Sequence, residues 1–213
     1  MNRGKYILIE GGEGSGKTSE QLPRLAIYLT RKNIPFVQTH EPGGTEISEI
    51  FRDIVLTERA EILSPQAELF SYLAARSQLT LLVVKPSLEQ GKWVICDRGF
   101  PSTVAYQSFG NEIDLKLISM LNEYAVTCDE EFIFPDLTFI IDVPVEIGLG
   151  KAMKKGADRQ ESKGIDFHRR VNEGYKRYLE MYPGNSVRVP YIESNPEEMH
   201  RNIVQVLEER FGV

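Results

Sequence analysis

Residues 7–18 read ILIEGGEGSGKT, and from Gly11 onward they match the phosphate-binding pattern G-x-x-x-x-G-K-[ST]. The pattern follows an apolar, β-branched run at 6–9 and precedes a helix-compatible stretch at 21–32. Glycines allow the tight backbone that points successive N–H groups at phosphate oxygens. A helix that begins at the loop adds the positive end of its dipole. The stretch therefore predicts a strand, a loop that binds a nucleoside triphosphate, and a helix.

Individual roles follow from the chemistry of this loop. Lys17 can reach the β- and γ-phosphates of a bound nucleotide, and Thr18 can offer its hydroxyl to Mg²⁺. The expected nucleotide-binding residues are Gly11, Gly12, Glu13, Gly14, Ser15, Gly16, Lys17 and Thr18.

The composition limits what else the chain does. Its 213 residues suffice for one full domain or two small ones, and a formal charge of -6 gives no overall attraction for nucleic acid. The longest apolar stretch, 79–84, is too short to span a membrane, and no apolar signal segment precedes the loop. Cys96 and Cys128 lack metal-binding or CxxC spacing, and Cys96 lies in an apolar run. We therefore expect a cytoplasmic protein that binds neither nucleic acid nor a membrane, with Cys96 buried.

Short β-branched or aromatic runs alternate with longer helical segments along the chain. The predicted strands are 6–9, 36–39, 93–96, 137–142 and 187–192. The predicted helices are 20–32, 46–57, 66–90, 113–126, 145–155, 165–181 and 197–210. This alternation is typical of an α/β fold in which a parallel sheet carries helices on both faces. Ligands bind such sheets at the carboxyl ends of the strands, where the phosphate-binding loop, the segment 40–44 and Asp97-Arg98 are expected.

Two acidic residues are candidates for the magnesium ligand. Asp97 ends a predicted buried strand beside the phosphate-binding loop, the usual place for a carboxylate that binds Mg²⁺ directly or through water. Arg98 follows it and is predicted to grip an anion, with a strand-end ion pair as the alternative. Asp142 ends another strand, and its position before Val143-Pro144 favours a role as a helix cap.

Further candidates lie on the long predicted helix. Tyr72 and Arg76 are one turn apart, so the ring and the guanidinium lie on the same helix face. Such a face suits a flat base with an exocyclic carbonyl. The alternative is ordinary packing of the helix surface. Phe70 points elsewhere and is predicted to lie in the core. The polar groups of 99–107 either bind a sugar or base or support a helix. The charged segment 151–163 is either a solvated loop or a mobile lid that carries cations.

Several blocks of this sequence occur in the same order in one enzyme family. The blocks are Glu10–Thr18, Glu41–Thr45, Ala74-Ala75-Arg76, Asp97-Arg98 with Ser102, Ala105-Tyr106-Gln107, Phe134–Leu137, and Asp158-Arg159 with Asp166-Phe167. Through them the chain resembles the bacterial thymidylate kinases, within the P-loop nucleoside monophosphate kinases. The resemblance implies a single domain, 1–213, with the three-layer P-loop NTPase fold. It further implies a five-stranded parallel sheet with helices on both faces and a short lid at 150–166.

The same resemblance implies an activity and a set of residue roles. The activity is transfer of the γ-phosphoryl group of ATP to dTMP with Mg²⁺, in dTTP synthesis, by a cytoplasmic homodimer. The residues implied in catalysis are Lys17, Arg98, Arg159 and Glu13, and those implied in metal binding are Thr18 and Asp97. The residues implied in dTMP binding are Glu41, Pro42, Arg52, Tyr72, Arg76, Arg98, Ser102, Thr103, Tyr106 and Gln107.

The sequence departs from the family pattern where catalytic arginines are expected. Gly14 stands where some thymidylate kinases have an arginine, and members without it use arginines of the lid. The corresponding lid positions here are Lys151, Met153 and Lys155, so the retained Arg159 is the candidate for stabilising transition-state charge. Lysine lacks the planar fork with which arginine binds two oxygens at once.

Two other functions stay open on the sequence. One is a kinase for another nucleoside monophosphate, and the other is a P-loop protein that binds nucleotide with little turnover. His40 and Gly99 also differ from the residues usual at their positions, which bears on efficiency and substrate choice. A GTPase switch is disfavoured because no N-K-x-D segment for guanine is present.

Overall fold

The computed structural model describes residues 3–154, 159–160 and 162–213. The strands of this part are β1 (Tyr6–Gly11), β2 (Phe36–His40), β3 (Trp93–Asp97), β4 (Thr127–Cys128), β5 (Glu131–Phe132), β6 (Leu137–Asp142) and β7 (Ser186–Pro190). Five of them form a parallel sheet in the order β2-β3-β1-β6-β7. The pair β4-β5 is antiparallel and separate, and it has no counterpart among the predicted strands. The five predicted strands are all present.

The register brings the carboxyl ends of the first three strands together. Ile9 of β1 and His40 of β2 both lie opposite Asp97 of β3, and Gly11 lies opposite Ile141 of β6. The phosphate-binding loop starts at this edge of β1. The loop and the segments after β2 and β3 therefore share one edge of the sheet, as expected for this class of fold.

Helices occupy most of the chain between the strands. In the described residues they are α1 (Leu22–Arg31), α2 (Glu46–Leu56), α3 (Pro65–Leu79), α4 (Lys85–Glu89), α5 (Phe100–Ser102), α6 (Leu115–Val126), α7 (Val145–Met153), α8 (Ile165–Met181) and α9 (Pro196–Phe211). Lys17–Gln21, Thr80–Val84 and Thr103–Gly110 are π-helical. The predicted helix 66–90 is thus α3, a π-helical segment and α4 in succession. The helical stretch from Phe100 to Gly110 has no counterpart among the predicted helices.

Local capping explains why several helices begin where they do. Four helices start after a side chain that accepts a hydrogen bond from a backbone N–H of the first turn. These capping residues are Thr45, Ser64, Asp114 and Asn195, at the starts of α2, α3, α6 and α9. A proline follows Ser64 and Asn195, at the one helix position where its missing N–H costs nothing.

Both faces of the sheet are covered by apolar clusters. On one face Ile9 packs in a cluster with Leu25 of α1 and Ile203 of α9. Successive strand residues point to opposite faces, so Leu8 lies in a different cluster with Leu79 of α3. The result is the predicted three-layer arrangement of helices, sheet and helices.

Two side-chain predictions are wrong. Phe70 is 57% exposed rather than in the core, because α3 directs its neighbour Leu69 inward instead. Asp142 does not cap α7, whose capping position is Pro144 without a side-chain hydrogen bond. The carboxylate of Asp142 instead accepts a hydrogen bond from Nε of Arg188 on the adjacent strand β7, at 2.6 Å. A cross-strand partner of this kind is set by sheet order, which the local pattern does not contain.

Two expectations from composition concern cysteines and membranes. Cys96 is completely buried in β3, as predicted, and Cys128 is buried as well. Both are free thiols. None of the helices in the described residues combines the length and apolar character needed to cross a bilayer.

Candidate active site

A cavity of about 490 Å³ lies at the carboxyl ends of β1, β2 and β3, within the usual size range of small-molecule sites. The predicted site residues that line it are Glu13, Lys17, Thr18, Glu41, Pro42, Arg52, Tyr72, Arg76, Asp97, Arg98, Ser102, Thr103, Tyr106 and Gln107. The predicted residues outside its lining are Gly11, Gly12, Gly14, Ser15, Gly16 and Arg159. The structure therefore brings the phosphate-binding loop and the predicted acceptor residues to one space.

The phosphate-binding loop packs tightly against α7 at Gly14. This residue has a φ of +65°, and a Cβ built on it would lie 2.3 Å from the carbonyl oxygen of Gly148. A side chain here would need both a rarely adopted backbone conformation and a shift of α7. The contact gives a physical reason why this chain has glycine where an arginine occurs in some thymidylate kinases.

Lys17 supplies a buried cation beside this loop. Its side chain is buried, and Nζ lies 3.5 Å from the carbonyl oxygen of Gly12. Burial and the nearby charge of Arg98 lower the pKa of Lys17, whereas Glu13 and Asp97 raise it in part. A phosphate group that enters this site would replace water around the ammonium with anionic oxygens.

Thr18 and Asp97 form a site that fits Mg²⁺. The Thr18 hydroxyl donates to Oδ2 of Asp97, and Oδ1 of Asp97 is buried without a hydrogen-bond partner in the described residues. An unpartnered buried carboxylate oxygen is costly unless a cation or water meets it. Mg²⁺ commonly takes one or two protein oxygens and completes its shell with water and phosphate. The described residues contain no cluster of three or more His, Cys, Asp or Glu side chains able to hold a metal.

Arg98 is held on the cavity wall by several partners. Its φ of 70° is left-handed, which is uncommon for a residue with a side chain. Nη2 donates to Oε1 of Glu13 at 3.0 Å, and Nη1 donates to the hydroxyls of Ser102 at 3.1 Å and Tyr175 at 3.2 Å. The guanidinium carbon lies 5.2 Å from the centroid of the Tyr106 ring. The ion pair considered as an alternative for Arg98 therefore exists, and its partner is a carboxylate of the phosphate-binding loop.

Glu10 supports the segment that carries Arg98. It is completely buried and accepts hydrogen bonds from the amide of Gly99 at 2.7 Å, the hydroxyl of Ser102 at 2.8 Å and the hydroxyl of Tyr175 at 3.0 Å. Burial raises the pKa of Glu10, although Arg98 and the hydroxyl partners lower it in part. Sequence reasoning assigned a role to neither Glu10 nor Tyr175. A carboxylate inside an apolar strand is a signal for the first, whereas α8 shows no local signal for the second.

The carboxylate of Glu13 faces two cations. Burial alone would raise the pKa of Glu13, but Arg98, Lys17 and a hydrogen bond from Tyr106 lower it to about 2. Glu13 is therefore ionised at neutral pH. An anion that binds Arg98 has to share the guanidinium with this carboxylate.

Tyr72 and Arg76 line the cavity together, which confirms their shared helix face. Nε of Arg76 donates to Oε2 of Glu41 at 2.6 Å, and Nη1 donates to Oδ1 of Asn122 at 2.7 Å. The side chains of this ion pair are 4% and 6% exposed. Burial raises the pKa of Glu41, and Arg76 lowers it in part. The guanidinium is thus fixed from two sides before any ligand binds.

The segment after β2 is held by α2. Arg52 donates from Nη1 to the carbonyl oxygen of Pro42 at 2.7 Å. Glu49 accepts a hydrogen bond from the amide of Gly44 at 2.7 Å and lies 3.0 Å from Nε2 of His40. His40, which differs from the usual arginine, also lines the cavity.

The polar segment after Arg98 is helical, as one of its two predicted alternatives requires, and several of its side chains reach the cavity. These side chains are Ser102, Thr103, Tyr106 and Gln107. The Tyr106 hydroxyl donates to Glu13. This helix therefore supports the site and supplies part of its surface.

A family model described as Thymidylate kinase matches residues 9–203. This chain belongs to the thymidylate kinase family. The predicted resemblance is therefore confirmed, and with it the prediction that the chain is a kinase.

Relatives in the thymidylate kinase family match nearly the full length. The thymidylate kinase of Carboxydothermus hydrogenoformans is 42% identical over 207 residues, which cover 97% of this chain and 98% of that one. The thymidylate kinase of Clostridium novyi is 37% identical over 198 residues, with 92% and 93% covered. The crystal structure of thymidylate kinase from Ehrlichia chaffeensis superposes with a TM-score of 0.75 at 34% identity, covering 96% of this chain and 99% of that one. The predicted P-loop NTPase fold is thereby confirmed.

Two cations of the predicted lid segment pair with a carboxylate of α3. Arg159 donates to the carbonyl oxygen of Val55 at 2.8 Å and to the carboxylate of Glu68. Nζ of Lys163 lies 3.5 Å from the same carboxylate. Neither of these cations nor Lys151 lines the cavity in this conformation.

Other parts of the predicted lid have different surroundings. Gln160 does line the cavity, where its amide lies 3.4 Å from the hydroxyl of Tyr72. Met153 is 69% exposed. Lys155 and Asp158 lie outside the described residues. Sequence reasoning had given Gln160 and Glu68 no role, since neither stands in a motif.

Proposed function

We propose that this chain transfers the γ-phosphoryl group of ATP to the 5′-phosphate of dTMP, giving ADP and dTDP. One observation carries the proposal. A single cavity joins Lys17, Thr18 and Asp97 at the phosphate-binding loop to Arg98 on its wall and to the pair Tyr72 and Arg76. The names of the relatives identify the acceptor, and the loop accounts for the donor.

The acceptor needs no general base, because a 5′-phosphate oxygen is already anionic near neutral pH. Catalysis then depends on in-line positioning and on neutralising negative charge. Lys17 would stabilise the β- and γ-phosphates, and Arg98 would hold the acceptor phosphate against the opposing charge of Glu13. Lys17 is buried and Arg98 is half-buried, and this limited access to water strengthens both interactions.

Thr18 and Asp97 would hold Mg²⁺, directly or through water. When bound, the ion neutralises charge on the β- and γ-phosphate oxygens. The unpartnered Oδ1 of Asp97 supports this assignment. The test is the Mg²⁺ dependence of turnover in Asp97→Asn. We expect this variant to lose the dependence if Asp97 helps to hold the ion.

In the same cavity, Tyr72 would stack on thymine and Arg76 would donate to its exocyclic carbonyl. Tyr106 would crowd the 2′ position of the sugar, and Arg52 would assist Arg98 with the phosphate. The proposed catalytic role of Arg159 requires its guanidinium to exchange Glu68 for the phosphates. Arg159→Ala should therefore lower kcat more than it raises the KM for dTMP.

A panel of acceptors tests the proposal against a kinase for another nucleotide. Turnover with ATP would be measured for dTMP, dUMP, the thymine nucleotide with a 2′-hydroxyl, dCMP and AMP. We expect the highest kcat/KM for dTMP. A higher value for AMP or dCMP would overturn the choice of acceptor, and tight dTMP binding without turnover would overturn the reaction.

We also propose a cytoplasmic homodimer. Helices α2, α3 and α6 carry exposed apolar side chains. These side chains are Ile47, Ile50, Phe70, Leu117, Met120 and Tyr124. A large exposed apolar surface is typical of a protein interface. Sedimentation of the wild type and Phe70→Asp would test this, with a monomeric wild type as the contradicting result.

A further inference from the structure

A carboxylate behind the cavity wall binds four side chains at once. Glu68 on α3 has a side chain that is 2% exposed, and it does not line the cavity. Its Oε1 accepts hydrogen bonds from Nε2 of Gln107 and Nδ2 of Asn111, each at 2.9 Å. Its Oε2 accepts from Arg159 and lies 3.5 Å from Nζ of Lys163. One oxygen therefore meets two amides and the other meets two cations.

The charge of Glu68 decides which way the amide of Gln107 faces. Burial alone would raise the pKa of Glu68, but Lys163, Arg159 and Gln107 together lower it below its usual value. An ionised carboxylate only accepts hydrogen bonds. The NH₂ end of Gln107 must then point at Glu68, because its carbonyl oxygen there would face a negative charge.

Gln107 itself lines the cavity. The carbonyl oxygen and the NH₂ group of an amide diverge from the same carbon. With the NH₂ group of Gln107 donated to Glu68, its carbonyl oxygen Oε1 remains available to the cavity that Gln107 lines. Arg76, which also lines the cavity, offers the opposite hydrogen-bonding character. Its Nε and Nη1 already donate to Glu41 and Asn122, and among the described residues no partner occupies Nη2. The cavity thus combines a fixed acceptor with a fixed donor.

We propose that Glu68 is a positioning residue that sets pyrimidine specificity by locking Gln107 with its carbonyl oxygen toward the base. The inference rests on the proposed function, in which the cavity holds a nucleoside monophosphate. Thymine presents a carbonyl acceptor next to an N3–H donor, which complements Arg76 and Gln107. Cytosine presents an amino donor next to an unprotonated N3 acceptor, which opposes both.

The test compares two variants that break different halves of the Glu68 network. In Glu68→Gln the partner of Gln107 can both donate and accept, so Gln107 can turn and offer its NH₂ to the base. Lys163→Met removes one of the two cations beside Oε2 of Glu68. Arg159 still pairs with this carboxylate, so Glu68 stays ionised and Gln107 stays on its Oε1. The readout is the ratio of kcat/KM for dTMP to kcat/KM for dCMP, with equilibrium binding of both nucleotides alongside.

We expect the ratio to fall at least about tenfold in Glu68→Gln and to keep its wild-type value in Lys163→Met. If Glu68→Gln lowers kcat/KM equally for both nucleotides, Glu68 only supports the fold and the inference is overturned. Circular dichroism shows whether Glu68→Gln is folded. If it is not, Gln107→Leu decides, since this variant leaves the other three partners of Glu68 in place.

In Gln107→Leu a fall in the ratio supports the inference, and an unchanged ratio overturns it. A wild type that does not prefer dTMP over dCMP would overturn the proposed function and this inference with it. A wild type that prefers dTMP, together with an unchanged ratio in the variants, would overturn this inference alone.

Discussion

Replacing Arg76 with methionine would leave the carboxylate of Glu41 buried without its cation. In the native structure Nε of Arg76 and Oε2 of Glu41 are 2.6 Å apart, and their side chains are 4% and 6% exposed. Removing one partner of such a pair costs about 3–5 kcal/mol, because the remaining charge has lost both water and its counter-ion. This is a large part of the roughly 5–15 kcal/mol that stabilises an average domain.

The cost should depend on pH in a defined direction. Burial already raises the pKa of Glu41 in the native protein, and Arg76 offsets this in part. Without Arg76 the folded-state pKa rises further above the unfolded value. A carboxyl group with a raised folded-state pKa destabilises the fold most at high pH, and this penalty fades as the pH falls through that pKa. The stability gap between wild type and Arg76→Met should therefore narrow on acidification from neutral pH.

Urea denaturation followed by circular dichroism at a series of pH values measures this gap. The control is Lys32→Met, which breaks a 3.2 Å pair with Glu208 whose side chains are 41% and 47% exposed. Water screens that pair, so the control should lose far less stability. The double variant Glu41→Gln/Arg76→Met removes both charges and should return to within about 2 kcal/mol of the wild type.

Three results would refute this reasoning. One is a loss in Arg76→Met no larger than in Lys32→Met. Another is a loss of the same size at every pH between neutral and the unfolded-state pKa of a glutamate. The last is a double variant less stable than the single variant. Each would mean that the buried charge of Glu41 does not dominate the energetics of this pair.

Three further predictions concern the phosphate end of the cavity. Lys17→Ala should lower kcat for dTMP phosphorylation by about 10²–10³-fold, as expected for the loss of one preorganised cation. Glu13 has a pKa of about 2 against an ordinary value of 4.5, so its charge stabilises the fold above about pH 4.5. This contribution, on the order of 3 kcal/mol, is lost on acidification to about pH 2. In Glu13→Gln the free energy of unfolding should therefore fall less steeply over that pH range. Tyr175→Phe removes a hydroxyl shared by Glu10 and Arg98 and should raise the KM for dTMP about tenfold.

Exposed residues of the same types provide the controls. Lys116→Ala and Glu123→Gln change exposed charged side chains of α6 and should match the wild type in the turnover and acid-unfolding assays. Unchanged turnover in Lys17→Ala would remove this lysine from catalysis. An acid unfolding curve of Glu13→Gln as steep as the wild type would contradict the low pKa. A KM unaffected by Tyr175→Phe would show that Arg98 keeps its position without that hydroxyl.

The sequence by itself determined the features that depend on near neighbours. The loop from Gly11 to Thr18, the five strands of the sheet and helix starts such as Thr45 follow from residues a few positions apart. The order of motifs along the chain also identified the family, and with it most of the residues that line the cavity. Strand ends such as Asp97 could be placed near the loop because parallel strands collect their carboxyl ends at one edge.

Only the tertiary structure decided which side chains meet across long separations. Asp142 pairs with Arg188 because their strands are neighbours, and Phe70 is exposed because α3 turns a different side toward the core. Hydrogen bonds and ion pairs act over a few ångströms in space, whatever the separation along the chain. Local patterns therefore located the phosphate-binding loop. Arg159 and Gln107 both bind Glu68 because α3 packs beside them, and this packing is a property of the tertiary structure.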